Sequence, residues 1–194
     1  MNNLPETYPE FLTITILNWN RLLKNDKYKQ IIITSFEYLV KQNRAKIYAF
    51  CIMDNHIHLI WQACNGYTNR QNQHSFTRFT AQHFKYDLLE NNPDELQNYY
   101  VGAKDRQYQF WERNPLAIVL QSKDVFFQKL NYIHENPVKA CICTLPEDYY
   151  FSSASFHLCG RSSFVFISSL WVLLVKLVMR LVGENTNKGT TTPL

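Results

Sequence analysis

Hydrophobic residues recur along the chain with two periods, one typical of strands and one typical of helices. Residues 11–17 are rich in β-branched side chains and lie between Pro9 and a polar turn, so they predict a strand. Residues 26–43 carry apolar side chains at helical spacing and predict a helix, with Asp26 as the expected N-cap. Residues 75–91 repeat that spacing and predict a second helix.

Two apolar stretches, residues 45–53 and 56–63, are separated only by Asp54 and Asn55. Both of these residue types tolerate a positive φ, and a two-residue gap built from them is typical of a β-hairpin. The sequence therefore predicts two adjacent antiparallel strands between the two helices.

After a polar stretch, residues 108–113 predict a further strand and residues 122–136 a helix. Ser122 is the expected N-cap, Asp124 falls in the first turn, and Pro137 is expected to end the helix. The order β-α-β-β-α-β, followed by one more helix, predicts an α+β, ferredoxin-like (RRM-like) antiparallel sheet. Two helices would cover one face and leave the other free, and the additional C-terminal helix carries Tyr132.

His56 and His58 stand one residue apart in the second strand of the predicted hairpin. Because side chains alternate along a strand, both point to one face, opposite Ile57, Leu59 and Trp61. Their separation of roughly 6.6–6.8 Å along the strand lets two imidazoles converge on one ion, and imidazole is the commonest metal ligand. A pair of partly exposed histidines without a ligand is the alternative.

On the last predicted helix, Tyr132 lies about 100–120° from the apolar stripe of Phe126, Leu130 and Ile133. Asn136 follows one turn later at the expected helix end, where its carbonyl oxygen can point outward. Taken alone, these two residues are explained by a phenol that reaches water and by a helix terminus. Together with the histidines they predict a site for Mg²⁺ or Mn²⁺ beside a phenolate, which could form a phosphotyrosine at a phosphodiester.

Three segments, "MDNHIHLI", "KLNYIHENPVKA" and "PEDYYFSSA", strongly resemble those of the HUH-class single-tyrosine transposases, in particular the REP-associated tyrosine transposases of bacteria. HUH denotes His, a hydrophobic residue and His, which here are His56, Ile57 and His58. The resemblance runs from about residue 11 to about residue 156. The joint occurrence of the two main motifs is highly specific, whereas either one alone would be weak.

The resemblance implies a role for each motif residue. Tyr132 is expected to attack single-stranded DNA and become joined to its 5′-phosphate, leaving a free 3′-OH. His56, His58 and Asn136 are expected to hold the metal ion, Mg²⁺ or Mn²⁺. Members of the family recognise DNA hairpins and a short guide sequence beside the cleavage point, and the covalent bond conserves energy for rejoining. A homodimer that shares sites between chains and a monomer both stay open.

The net charge of +4 says little about the partner, because residues 1–160 carry a net charge of only +1. Local placement says more, since basic residues flank the predicted site and aromatic residues in "YQFWERN" and "IWQ" are suited to stacking on unpaired bases. For each basic residue, a solvated surface charge is the alternative. The residues expected to contact DNA are Trp111, Arg106, Arg113, Lys123, Lys129 and Lys139.

Residues 161–194 depart from the family pattern. Residues 164–182 are mostly apolar but include Lys176 and Arg180, and a lysine near the middle of a bilayer costs about 2.5–3.5 kcal/mol, so membrane insertion is not expected. We expect residues 1–160 to form the transposase domain and 161–194 an atypical tail, altered by a frameshift or by decay of the element, with a disordered end. Five cysteines without a CxxC pair and no signal-peptide pattern predict a reduced, cytoplasmic protein.

The leading hypothesis is a metal-dependent single-stranded DNA endonuclease and strand-transferase, and two other function classes compete with it. A non-catalytic nucleic-acid-binding domain would use the same sheet, although the middle strands lack an RNP-like aromatic signature. A zinc hydrolase would use His56, His58 and a cysteine or an acid such as Asp54, although no third ligand has a typical spacing. A covalent protein–DNA adduct would distinguish the three.

Overall fold

The computed structural model describes residues 8–64 and 66–169. Within them the strands are β1 (Glu10–Thr15), β2 (Ala45–Ile52), β3 (His56–Ala63), β4 (Tyr100–Ala103), β5 (Arg106–Tyr108) and β6 (Leu116–Val119). The helices are α1 (Asp26–Lys41), α2 (Asn69–Asn91), α3 (Pro93–Leu96), α4 (Lys123–Lys139) and α5 (Ala154–Cys159).

Four of the strands form one antiparallel sheet in the order β2-β3-β1-β6. This is the ferredoxin-like order, and the predicted α+β fold class is confirmed. The β2–β3 hairpin closes where the Met53 N–H donates to the His56 carbonyl oxygen at 2.8 Å. Asp54 and Asn55 occupy the turn as predicted, although neither takes a positive φ. Strands β4 and β5 form a separate two-stranded hairpin before β6.

The main core lies between the sheet and helices α1 and α2. Phe36 of α1 and Phe76 of α2 stack with their ring centroids 5.3 Å apart, and both pack into the cluster that contains Ile57, Leu59 and Trp61 of β3. The apolar side chains of β3 therefore face these two helices, as the alternation predicts.

The opposite face of the sheet is covered by α4, so the prediction of a free face is wrong. Phe126, Leu130 and Ile133 form the apolar stripe of α4, and they pack against Phe11 of β1 and Ile60 of β3 in a second buried cluster. The apolar stripe is where the sequence predicts it. The stripe packs against the sheet face on which we expected DNA bases to bind.

The helix ends differ from the predictions in several places. Asn25, and not Asp26, is the N-cap of α1, since its side chain accepts from the Lys27 N–H. Helix α2 begins six residues earlier than predicted, because Thr68 and Gln71 form a capping box at its start. Ser122 caps α4 as predicted, through a bond from the Val125 N–H.

The prediction that α4 ends before Pro137 is wrong, because the helix continues through Pro137 to Lys139. A proline near the end of a helix removes one backbone donor, while the carbonyl oxygens of its own turn still find partners. The Asn136 carbonyl oxygen accepts from the Ala140 N–H at 3.0 Å. Asn136 can therefore serve a site only through its side chain, and not through the outward carbonyl that we expected.

The fourth strand of the sheet is β6, and not the predicted residues 108–113. Of those residues only Tyr108 lies in a strand, at the end of β5, while Trp111 forms a single bridge to Ile16. Trp111 is fixed instead by the core, where its indole N–H donates to Thr80 Oγ1 at 2.9 Å.

The packed part of the chain extends beyond residue 160. Phe164 and Phe166 are buried, with ring centroids 5.2 and 5.7 Å from that of Phe50, and Ile167 bridges to Ile47 of β2. The first residues of the predicted tail thus complete the core. The predictions for residues 170–194 lie outside the described residues. Among the helices that are described, none is long and apolar enough to cross a membrane.

Candidate active site

The two predicted histidines meet at the first residues of β3, on the sheet face that α4 crosses. His58 is 3% exposed and His56 is half-buried. Their Nε2 atoms lie 3.1 Å apart, with the ring centroids separated by 4.7 Å. The strand thus aims the same ring nitrogen of both side chains at one point.

Each imidazole is held in place through its other nitrogen. His58 Nδ1 lies 2.9 Å from Thr13 Oγ1 on β1, which is the residue directly opposite His58 in the strand register. His56 Nδ1 lies 2.7 Å from Asn55 Oδ1 in the hairpin turn. An amide oxygen only accepts, so the proton of His56 is on Nδ1 and its Nε2 presents a lone pair. Sequence reasoning missed both supports, although the period-2 pattern of β1 places Thr13 on the histidine face.

Both imidazoles are neutral in this environment. Burial lowers the pKa of His56, and a hydrogen bond with the Asn136 side chain acts in the opposite direction. Burial and the neighbouring His56 lower the pKa of His58 to about 3, again with Asn136 opposing. Neutral imidazole is the form that binds metal ions. Because His58 Nε2 donates to the lone pair of His56 Nε2 at 3.1 Å, binding of an ion requires the His58 proton to move to Nδ1, where Thr13 Oγ1 can accept it.

Helix α4 brings Tyr132 and Asn136 to the same place. The Tyr132 ring is 42% exposed and its centroid lies 5.0 Å from that of His58, with Phe11 at 6.0 Å on the other side. The Asn136 side chain, one turn later, lies close enough to both imidazoles to oppose the lowering of their pKa by burial, and its Nδ2 donates to the Tyr132 carbonyl oxygen at 3.3 Å. The phenol does not point into the core, and all four residues come from one chain.

Two lysines of α4 flank the phenol ring. Lys129 Nζ lies 5.8 Å from the Tyr132 ring centroid and 4.9 Å from that of Phe11, and Lys139 Nζ lies 5.9 Å from the Tyr132 centroid. Neither ammonium has a carboxylate partner among the described residues. They make the surroundings of the phenol electropositive.

Three other basic residues expected at the site lie away from Tyr132. Lys123 precedes it by nine residues, about 13.5 Å along the helix, and its ammonium packs over the Phe127 ring. Arg106 and Arg113 line a cleft on the far side of β1, beside α2.

The two tryptophans expected to stack on bases are both in the core. Trp111 is 6% exposed and Trp61 is fully buried. The prediction that they stack on DNA bases is therefore wrong, because their faces are covered by other side chains of the main core. Local composition did not distinguish a core tryptophan from a surface one.

An aromatic residue that the sequence reasoning missed lies beside the histidines. Trp19 is 61% exposed and its ring centroid lies 5.9 Å from that of His56. Asn18 and Trp19 both take positive φ values, 54° and 58°; asparagine tolerates this conformation, whereas for the bulky Trp19 it is strained. Two contacts hold them, from the Asn18 N–H to Glu112 Oε1 and from Asn55 Nδ2 to the Trp19 carbonyl oxygen.

The donor set fits a divalent ion with mixed nitrogen and oxygen ligands. Among residues 8–64 and 66–169, no three His, Cys, Asp or Glu side chains cluster as a metal site. Asp54, the acid that the zinc-hydrolase alternative requires, is instead paired with Arg21 and Lys29. The convergent atoms are the two imidazole nitrogens and the side-chain amide of Asn136.

A solved structure shares this arrangement of strands and helices. A REP-associated tyrosine transposase bound to a REP hairpin superposes with a TM-score of 0.58, at 17% sequence identity, over 88% of this chain and 90% of that chain. This chain has the fold of a REP-associated tyrosine transposase. A protein assigned as a transposase in Deinococcus radiodurans gives a TM-score of 0.44 at 16% identity, over 70% of this chain and 92% of that chain. No family model and no curated protein matches the sequence of this chain.

Proposed function

We propose that this chain is a metal-dependent endonuclease and strand-transferase for single-stranded DNA, with Tyr132 as the nucleophile. The observation that carries the proposal is the convergence of Tyr132, His58 and Asn136, from two separate elements, beside His56. A helix that only packs on the sheet has no need of an exposed phenol and an amide above one buried and one half-buried imidazole. The same constellation gives a nucleophile next to a set of metal ligands.

The chemistry requires one bond to form and one to break. Tyr132 Oη attacks the phosphorus of a phosphodiester, and the bond between phosphorus and the 3′-oxygen breaks. The strand becomes joined to the tyrosine through its 5′-phosphate, and the phenol's proton, passed through solvent, ends on the departing 3′-oxygen. In the reverse direction a 3′-OH attacks the phosphotyrosine and releases the phenol, so strands rejoin without an external energy source.

His56, His58 and Asn136 would hold Mg²⁺ or Mn²⁺. Since metal–nitrogen distances are about 2.0–2.1 Å, two ring nitrogens 3.1 Å apart can reach the same ion. When bound, the ion would polarise the phosphodiester and offset its charge. Imidazole ligands suit Mg²⁺ less than a transition ion, so we expect Mn²⁺ to support activity at lower concentrations than Mg²⁺.

The remaining residues of the site supply positive charge or fix the orientation of the two imidazoles. Lys129 and Lys139, which flank the Tyr132 ring, would offset the negative charge of a phosphate bound next to the phenol. Thr13 and Asn55 fix the imidazoles so that both Nε2 atoms stay aimed at the same point. The site is complete within one chain and does not need a tyrosine from a second copy.

The proposed substrate is single-stranded DNA that flanks a hairpin. The structural relative binds a REP hairpin, and we extend that partner class to this chain. The exposed Trp19 beside His56 offers a face on which an unpaired base near the cleaved bond can stack.

The test is the formation of a covalent adduct. Labelled single-stranded DNA with a hairpin is incubated with protein and Mn²⁺, and a band that survives denaturation is sought on a gel. We expect Tyr132→Phe to abolish the adduct and His56→Ala to reduce it by more than about 100-fold, beyond the usual effect of an outer-shell change. Tyr38→Phe, at an exposed tyrosine on α1, is the matched control and should behave as the parent protein.

Each other outcome contradicts the proposal in a defined way. Cleavage by Tyr132→Phe would exclude the covalent mechanism. DNA binding with no adduct, across hairpins of varied sequence and with both ions, would favour a non-catalytic single-stranded nucleic-acid-binding domain derived from a transposase.

A further inference from the structure

Two adjoining clefts lie along the outer surface of α2, away from Tyr132. One has a volume of about 880 Å³ and the other about 410 Å³, and both are lined by Arg70, His74 and Arg78 of α2. Together they form one surface, which we call the α2 groove. Its other basic lining residues are Arg44, Arg106 and Arg113.

The positive charge of the α2 groove is almost unopposed. Among the described residues, the only carboxylate that lines either cleft is Glu112, which accepts from the Asn18 N–H. Of the groove's arginines, Arg106 has a carboxylate partner, Asp105, whereas Arg44, Arg70, Arg78 and Arg113 have none among those residues. Outside the groove, Arg21 forms an ion pair and Arg161 is the one described arginine that does not. Unpaired guanidinium groups are therefore concentrated in this groove.

The placement of these arginines does not serve the stability of α2. Arg70, His74 and Arg78 are exposed and spaced four residues apart, so they form one stripe. The stripe begins in the first turn of α2, which contains no acidic residue. A positive charge at a helix N-terminus is unfavourable because it opposes the helix dipole. An anionic partner would reverse that effect, since guanidinium groups and dipole would then attract the same ligand.

Two of the arginines are already held in fixed orientations. Arg44 stacks on the Tyr67 ring, 4.9 Å from its centroid, and donates to Ser75 Oγ at 3.3 Å. Arg106 donates from Nε to Gln109 Oε1 at 3.1 Å. Arg44 Nε and Arg106 Nη2 nevertheless have no acceptor among the described residues. Stacked and hydrogen-bonded guanidinium groups lose little freedom on binding, which favours contacts with phosphate.

The α2 groove is continuous with the candidate active site. A third cleft, of about 410 Å³, shares Glu112 and Arg113 with the groove and is also lined by Trp19. Trp19 in turn contacts His56. A nucleic-acid strand that leaves the histidines past Trp19 would thus enter the groove at Arg113 and meet Arg78 and Arg70 further along.

From these observations we infer that the α2 groove binds the phosphodiester backbone of DNA outside the few nucleotides at Tyr132. The groove carries arginines along its walls, and guanidinium groups are suited to phosphate oxygens, so the contact that we assign to it is to the DNA backbone. The link to the reaction site rests on the proposed function. The proposed binding of DNA by the groove does not depend on the proposed function, because the groove residues take no part in cleavage.

The test measures DNA binding without cleavage. The protein carries Tyr132→Phe and is kept in EDTA, and its affinity for a long fluorescent single strand is measured by anisotropy as salt increases from about 50 to about 200 mM. We expect Arg70→Glu with Arg78→Glu to weaken binding by roughly tenfold or more at low salt. The slope of log affinity against log salt should fall by about 1.4 for two lost single-strand phosphate contacts.

The matched control is Lys24→Glu with Lys46→Glu, which makes the same change in net charge at exposed sites outside the groove. Equal loss of affinity in the two double variants, or an unchanged salt slope for the groove variant, would overturn the proposal. If the glutamate variant is poorly folded by circular dichroism, Arg70→Gln with Arg78→Gln should show the same lower slope in a folded protein.

A second arm repeats the titration with a duplex hairpin. A larger loss for the hairpin would indicate that the groove holds a stem, and a larger loss for the single strand would indicate the unpaired flank. Because no step of this experiment needs the phosphotyrosine, an absent adduct would reject the proposed enzyme activity and leave the groove result intact.

Discussion

Thr13 Oγ1 on β1 lies 2.9 Å from Nδ1 of His58 on β3, and the two residues are direct partners in the strand register. This contact joins the sheet to the candidate metal site. It fixes the rotation of an almost fully buried imidazole, so that Nε2 points towards His56 Nε2, 3.1 Å away. Outer-shell contacts of this kind set the tautomer and orientation of metal-binding histidines.

Replacement of Thr13 by valine removes the hydroxyl at nearly constant volume. We expect Thr13→Val to weaken Mn²⁺ binding by about 10–100-fold, the usual cost of losing an outer-shell partner, while the fold is retained. Thr13→Ser keeps the hydroxyl and should bind Mn²⁺ nearly as the parent does. Isothermal titration calorimetry on the three proteins measures this. Equal affinities for the valine and parent proteins would show that the imidazole does not depend on Thr13.

The residues that meet at this site were largely predictable from the sequence. The His-x-His spacing places His56 and His58 on one face of a strand, and the helical period places Tyr132 off the apolar stripe of α4. The sheet order follows from the order of strands and helices, through the ferredoxin-like pattern. These features depend on the spacing of polar and apolar residues within single strands and helices, which can be read directly from the sequence.

The features that were missed depend on distant contacts. Periodicity shows that α4 has an apolar stripe, but the surface that Leu130 covers is set by the whole sheet. Trp111 looks like a surface aromatic in its local sequence, yet Thr80, 31 residues away, accepts its N–H. The residue before a proline is only biased against helix, and Asn136 remains helical because the turn that follows keeps its other bonds.

Two of the three lysines of α4 that are predicted to contact phosphates, Lys123 and Lys129, can be separated by position. Lys129 lies 5.8 Å from the Tyr132 ring centroid, whereas Lys123 lies over the Phe127 ring near the start of the helix. We expect Lys129→Gln to slow adduct formation by about 10–100-fold. Removal of a single hydrogen-bond donor that stabilises a transition state usually slows a reaction about 10²–10³-fold. We expect a smaller effect here because Lys139 still places a positive charge beside Tyr132. Lys123→Gln is the control on the same helix and should leave the rate unchanged, as single-turnover gels would show.

Acid should destabilise the fold through a histidine outside the active site. Burial lowers the pKa of His157 below its ordinary value, and a hydrogen bond to the Tyr48 carbonyl oxygen opposes this shift. The other titratable ring against it is the buried His134, at 5.3 Å. Because the folded pKa lies below the unfolded value of about 6.5, the unfolded chain binds the proton first. The stabilising contribution is complete above that pH and is lost as the pH falls below it.

The measurement is the free energy of urea unfolding between about pH 5 and pH 7. We expect it to fall with decreasing pH in the parent protein. His157→Gln keeps a donor for the Tyr48 carbonyl oxygen but cannot titrate, so its pH dependence should be flatter. Parallel curves for the two proteins would assign the acid sensitivity to other groups.

Trp19 lies beside His56 and has a strained backbone conformation, with a φ of 58°. Its packing offsets little of this strain, because the residue is 61% exposed. Strain kept at an exposed aromatic residue next to a candidate site indicates a ligand that uses it. We expect Trp19→Ala to weaken binding of a short single strand by about 1–3 kcal/mol, the value of one stacked base, and Trp19→Phe to lose less.

The control for Trp19 is Tyr86→Ala, which removes a similarly exposed ring from α2. Binding is measured with a fluorescent base analogue in the Tyr132→Phe protein, whose emission is quenched when the base stacks. Loss of quenching in Trp19→Ala but not in Tyr86→Ala is the expected result. Because weaker binding leaves less DNA at the site at a given concentration, the same variant should raise the DNA concentration needed for adduct formation. Unchanged quenching would mean that the strained turn serves only to place Asn55 and Glu112.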